Sequence, residues 1–116
     1  MRYVDAYVIP IPKRKLKAYL AMARVGKKTW MKHGALSYYE CVGDDLKSWG
    51  QGYPKMAKLK KGETVVVAFV VYKSRAHRDR VNAKVMKDFT ESDVQMEMPF
   101  GVKRMANGGF TVIGGS

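Results

Sequence analysis

Asp5 stands between Tyr3 and Tyr7 in a segment, Tyr3 to Pro10, whose side chains alternate between two faces: Tyr3, Asp5, Tyr7 and Ile9 on one, Val4, Ala6 and Val8 on the other. A carboxylate held there has two uses. In a poorly solvated pocket its proton affinity rises and it can abstract a proton, whereas beside a cation such as Arg104 it forms a satisfied ion pair at a subunit seam. His77 heads a line continued by Val81 and Val85, which turns its imidazole inward as a general acid/base or as a hydrogen-bonded core histidine. No carboxylate at fixed spacing orients it. Asp5 and His77 are the catalytic candidates. Lys27 falls on the apolar line between Ala23 and Trp30, and an inward lysine must pair, snorkel past the helix edge or meet an anion. Tyr7, Lys27, Trp30, Tyr38 and Arg104 are the ligand-binding candidates, for a cleft suited to an aromatic or anionic small molecule.

Other chemistries find less support. One cysteine, Cys41, and two histidines without paired spacing make no zinc set, and a haem ligand would rest on His77 alone, so no metal or cofactor is expected. His33 sits at a helix end, where its protonated form suits the dipole. Gly108, Gly109, Gly114 and Gly115 do not open a helix after a strand, as a phosphate loop requires. Met96, Met98 and Met105 read as fillers of an uneven interface.

These residues need elements to place them. The strand at Tyr3 closes at Pro10 and Pro12. A helix follows, with Leu16, Tyr19, Leu20, Ala23, Lys27, Trp30 and Met31 at spacings of three and four, and ends at His33-Gly34. Ala35 to Val42 alternates as a second strand, with Leu36, Tyr38, Glu40 and Val42 on one face. Residues 43–62 form a Gly- and Lys-rich connection, too long for a tight turn and expected to hold some structure of its own. Glu63 to Lys73 is apolar or aromatic from Val65 to Tyr72, as in a strand covered on both faces. Ser74 is an N-cap for the helix of His77. Residues 90–105 are irregular or partly helical with a break at Pro99, and Gly108-Gly109 releases a last strand, Phe110 to Ile113. The order strand, helix, strand, strand, helix, strand predicts an α+β, ferredoxin-like single domain, 1–116, with two helices on one face of a four-stranded antiparallel sheet. The second apolar face of the strand at Val65 then needs a cover the chain does not itself provide. A homodimer packing sheet on sheet supplies it.

At 116 residues with 47% apolar and 28% charged side chains the composition is globular. No apolar run approaches the roughly 20 residues of a membrane span, and the start of the chain lacks a basic-then-apolar leader, so a cytosolic protein is expected, with no membrane partner. The net charge is +12, and between Lys13 and His33 there are eight Lys or Arg and no acidic residue. Such a field attracts nucleic acid, acidic membrane surfaces and anionic small molecules alike.

Three stretches, YVDAYVIPIPK, GKKTWMKHGALSYYECVGDDLK and VVYKSRAHRDRVNAKVMKD, with MPFGVKRMANGGF near the end, give a chain that resembles the YbaA-like family of uncharacterised bacterial proteins. The resemblance covers most of the sequence and implies the dimeric α/β-barrel superfamily, whose members include cofactor-free monooxygenases, haem-degrading enzymes, muconolactone isomerases and ligand-sensing domains. It supplies a fold and the place of a cleft, with no reaction. Where the family carries an acidic residue after the MPF motif, this chain has Gly101.

Two uses follow. In the first, which is preferred, a small molecule is bound or transformed in a cleft between helices and sheet. In the second, the Lys/Arg-rich helical face binds nucleic acid or an acidic partner. RNA-reading sheets expose aromatics flanked by Lys and Arg, unlike the strand at Val65.

Overall fold

The computed structural model of the chain describes residues 1–47, 49–91 and 100–115. Much of the segment 90–105, including Met96, Met98 and the break at Pro99, lies outside the described residues. The described chain forms strand β1 (Tyr3–Pro12), helix α1 (Leu16–Lys32), strand β2 (Ser37–Val42), a single helical turn α2 (Tyr53–Met56), strand β3 (Glu63–Tyr72), helix α3 (Arg75–Glu91) and strand β4 (Ala106–Thr111). Short 3-10 turns occupy Lys13–Lys15 and Val102–Arg104. None of the described helices is long and apolar enough to cross a membrane.

β1 outruns its expected end at Pro10. Its pairing with β4 stops at Val8, so Pro10 and Pro12 lie where β3 is the remaining neighbour and a missing N–H breaks no second ladder. α1 closes as expected, with Gly34 at φ +105°. In α3 the Ser74 hydroxyl accepts a hydrogen bond from the His77 backbone N–H at 3.1 Å, an N-cap. The connection 43–62 does hold structure, α2 with Pro54 in its first turn. β4 begins earlier than the glycine pair suggested, and Gly109 sits inside it. A Cβ at 109 would overlap the Tyr3 ring, so this glycine marks a close approach across the sheet.

The four strands form one antiparallel sheet in the order β2-β3-β1-β4. Asp5 faces Val70 across one ladder and Gly109 across the other. The helices cover the face carrying Tyr3, Asp5, Tyr7, Ile9 and Ile11 of β1 and Val66, Ala68, Val70 and Tyr72 of β3. Two apolar clusters divide that layer: Tyr3, Val70 and Tyr72 with Val81 and Val85 of α3, and Ile9, Ile11 and Val66 with Tyr19 and Ala23 of α1.

The opposite face is also apolar: Val4, Ala6 and Val8, then Val65, Val67, Phe69 and Val71, with Tyr39 and Phe110 at the flanks. The expectation that the chain leaves this face wholly uncovered needs correcting at one end. There the connection 43–62 folds over, Val65 is buried, and Met56 and Ala57 meet Val8 and Pro10 around a cavity of about 260 Å³. The rest of the face is uncovered, with Val4, Ala6, Val67, Phe69 and Val71 part-exposed and the flanking Tyr39 and Phe110 56% and 58% exposed.

Candidate functional site

Between the two apolar clusters the helix-covered layer turns polar. Asp5, 4% exposed, accepts from the Arg78 guanidinium at 2.8 Å and from the Asn82 amide at 3.2 Å. The Asn82 carbonyl oxygen in turn accepts from the Trp30 indole at 3.1 Å and the Tyr72 hydroxyl at 3.0 Å. Arg78 also lies over the Tyr3 ring, 4.9 Å from its centre. Arg78 and Asn82 reach one strand because they are four apart on α3, beside the Val81 and Val85 that bury it. Burial and then the nearby Asp5 charge make the Tyr72 phenol a weaker acid than usual.

Next to this array stands a second carboxylate. Glu40 on β2 accepts from the Tyr19 hydroxyl of α1 at 2.5 Å and from Tyr38, its neighbour on the same strand face, at 2.6 Å. Burial, and then the bond to Glu40, pushes both phenols well above the ordinary tyrosine range. α1 comes this close because position 26 is glycine: a Cβ there would lie 2.9 Å from the Tyr38 hydroxyl. Tyr7 belongs to the same layer. Its phenol is pushed up to about 12, first by burial and then by the Asp5 carboxylate, with Glu40 adding to the rise. Among the described residues its hydroxyl has no hydrogen-bond partner, while the flanking carboxylates are both engaged elsewhere.

The candidates read from sequence separate here. Asp5, Tyr7, Trp30 and Tyr38 come together under the helices. Asp5 pairs with Arg78 and not with Arg104, and it faces the helices, away from the open face where a seam would form. Arg104 is occupied elsewhere, bidentate on Glu63 at 2.7 and 2.9 Å and donating to the Lys58 carbonyl at 2.9 Å, which holds the Glu63 carboxyl down at about 2. Lys27 is exposed, which corrects its inward placement. The inner line of α1 runs Tyr19, Ala23, Gly26, and a glycine carries no pattern signal. His77 does not enter the layer of Asp5 and Glu40. Its Nδ1 accepts from the Lys73 N–H at 2.9 Å and its ring stands edge-on to Tyr72, so it ties the start of α3 to the end of β3. Burial, with Lys73 and Arg80 nearby, holds its proton affinity below the usual histidine value. His33 meets Asp88 at 2.6 Å.

Sequence reasoning missed Arg78, Asn82, Glu40 and Tyr19. Arg78 and Asn82 had a readable signal, polar residues four apart bordering the apolar line of a helix. Glu40 shared the alternating face of Tyr38. Among the described residues no group of three or more His, Cys, Asp or Glu is placed to hold a metal ion.

A family model described as "Protein of unknown function (DUF1428)" matches residues 2–102. The chain is 36% identical over 114 residues to the "Uncharacterized protein YbaA" of Escherichia coli strain K12, a match covering 97% of each. The protein of that name from Shigella flexneri gives the same figures. Among solved structures, a "De novo designed protein Foldit4" aligns with 97% of this chain and 99% of its own at 11% identity and a TM-score of 0.47.

Proposed function

Since the chain belongs to the DUF1428 family, whose description assigns no activity, we propose from the geometry that it binds a small, uncharged, carbonyl-bearing aromatic compound against Tyr7, between helices and sheet. The observation that carries this is the Tyr7 hydroxyl: half-buried, protonated at any physiological pH, and without a partner among the described residues. A donor of this kind, partly desolvated yet still reachable from outside, favours a ligand acceptor oxygen. Arg78 offsets the Asp5 charge, but Glu40, held only by the Tyr19 and Tyr38 hydroxyls among the described residues, repels an anion, which narrows the aromatic-or-anionic expectation to neutral compounds. Trp30 and Tyr38, with ring centres 5.8 Å apart, supply aromatic surface nearby.

The element order and the sheet order β2-β3-β1-β4 support a ferredoxin-like reading in which α2 is an insertion. The open apolar face supports a homodimer that packs sheet on sheet and leaves both helical layers, and hence both sites, outward.

An NMR titration of the labelled protein with acetophenone, benzoate and benzylamine tests the ligand reading. Acetophenone is expected to move the amides around Tyr7 and Glu40 at millimolar concentration, benzoate to leave them unmoved, and Tyr7→Phe to weaken acetophenone binding by about tenfold, the worth of one neutral hydrogen bond. Amides unmoved by acetophenone, or undiminished binding by Tyr7→Phe, would overturn it.

A further inference from the structure

The cations of the first helical segment do little inside the fold. Lys13, Arg14, Lys15, Lys17, Arg24, Lys27, Lys28 and Lys32 are all exposed, and Lys32 alone among them forms an ion pair among the described residues, with Asp88 at 3.5 Å. Lys17, Arg24 and Lys28, seven and four residues apart, make one stripe along α1, continued by Lys13 at its start. On the adjoining α3, Arg75, Arg80, Lys84 and Lys87 are exposed too.

This arrangement works against the helix that carries it. α1 has no acidic residue in its first turn and no side-chain cap, and three consecutive cations precede it at the end where the helix dipole is already positive. Arg24 with Lys28, and Lys28 with Lys32, add like-charge pairs at a spacing of four. Local conflicts of this sort concentrate where a surface serves an outside partner.

We infer that the outer face of α1 is a docking surface for the phosphodiester backbone of nucleic acid, bound without regard to base sequence. A protein partner would call for aromatic anchors in an apolar centre, and the outer face of α1 presents only Leu20, Val25 and Met31 scattered among cations. A membrane surface would need the apolar face of the helix free to insert, and α1 spends Tyr19 and Ala23 on the sheet. Cations at intervals of four and seven residues, about 6 and 10 Å along a helix of about 26 Å, can follow a row of phosphates. α1 contains no Asn or Gln to read an adenine edge. The weakness of RNA reading by the sheet does not bear on this surface, which lies on the other side of the helices.

Fluorescence anisotropy with labelled duplex DNA and duplex RNA of about 20 base pairs, two helical turns, tests it. Binding at low salt is expected for any sequence, with a log K against log salt slope of about −4 for four or five phosphate contacts. Lys17→Glu/Arg24→Glu/Lys28→Glu should flatten that slope by about three and weaken binding at least a hundredfold. Arg2→Glu/Lys47→Glu/Lys55→Glu changes the net charge equally at exposed positions outside α1 and α3, and should retain most of the affinity. Circular dichroism establishes that each variant is folded. The inference fails if neither duplex binds at low salt, if the two triple variants lose affinity equally, or if polyglutamate or vesicles of anionic lipid displace the duplex at equal charge.

Discussion

Gly26 lies in the interior of α1, where alanine would ordinarily strengthen a helix by about 1 kcal/mol. Here the added methyl group would sit 2.9 Å from the Tyr38 hydroxyl, which is fixed by its bond to Glu40, with the Trp30 ring 3.5 Å away. Overpacking of this kind costs about 1–3 kcal/mol. Gly26→Ala is therefore expected to lower stability in urea by about 1 kcal/mol at unchanged m. In a Tyr38→Phe background the obstructing oxygen is gone and the same change should become stabilising by several tenths of a kcal/mol or more. A substitution that behaves alike in both backgrounds would mean that the hydroxyl is not what holds α1 at its distance. The position shows why the site was only partly readable. Asp5, Tyr7 and Tyr38 announced their face by alternating every second residue, but the residue that lets the helix down onto them is a glycine, which no apolar pattern marks. Lys27 reads as inward for the same reason, being the nearest side chain to a line that runs through Gly26.

At the scale of elements, periodicity located the strands and both long helices, and Ser74 marked the start of α3. Partners across elements were less legible. Which arginine meets Asp5 depends on how α3 lies over the sheet, and Arg104, at the other end of the sheet, meets Glu63 instead. Pattern starts β4 only at Phe110 because Gly108-Gly109 reads as the release before a strand, whereas Gly109 yields space to Tyr3 inside the ladder. Phe69 is at the middle of the open face with its ring 5.2 Å from that of Tyr39. A carboxylate there would have to be desolvated against a partner sheet at a cost of several kcal/mol. Light scattering at micromolar concentration should give two chains for the native sequence and one for Phe69→Glu, with the variant still folded because the side chain faces away from the helices. A native mass of one chain would end the dimer reading.

Taken whole, the molecule is two surfaces of different character around one sheet: a largely uncovered apolar face and a helical layer on whose outside Lys and Arg predominate. The asymmetry follows from where the sequence puts its charge, +12 in total with no acid between Lys13 and His33. Its polar interior is balanced by contrast, with no buried side-chain nitrogen or oxygen left unbonded among the described residues. The cation-loaded start of α1 makes ionic strength a control on the protein itself. Salt that shortens the Debye length from about 30 Å at 0.01 M to about 3 Å at 1 M relieves repulsion among these side chains. The melting temperature should therefore climb by a few degrees over that range in sodium chloride, since about 1 kcal/mol of relief is worth a few degrees in a domain of this size; a flat or falling curve would show that the crowding costs the helix nothing. Polyanion attachment would loosen over the same interval, so that the conditions under which this fold is most secure are those in which its charged exterior is least adhesive.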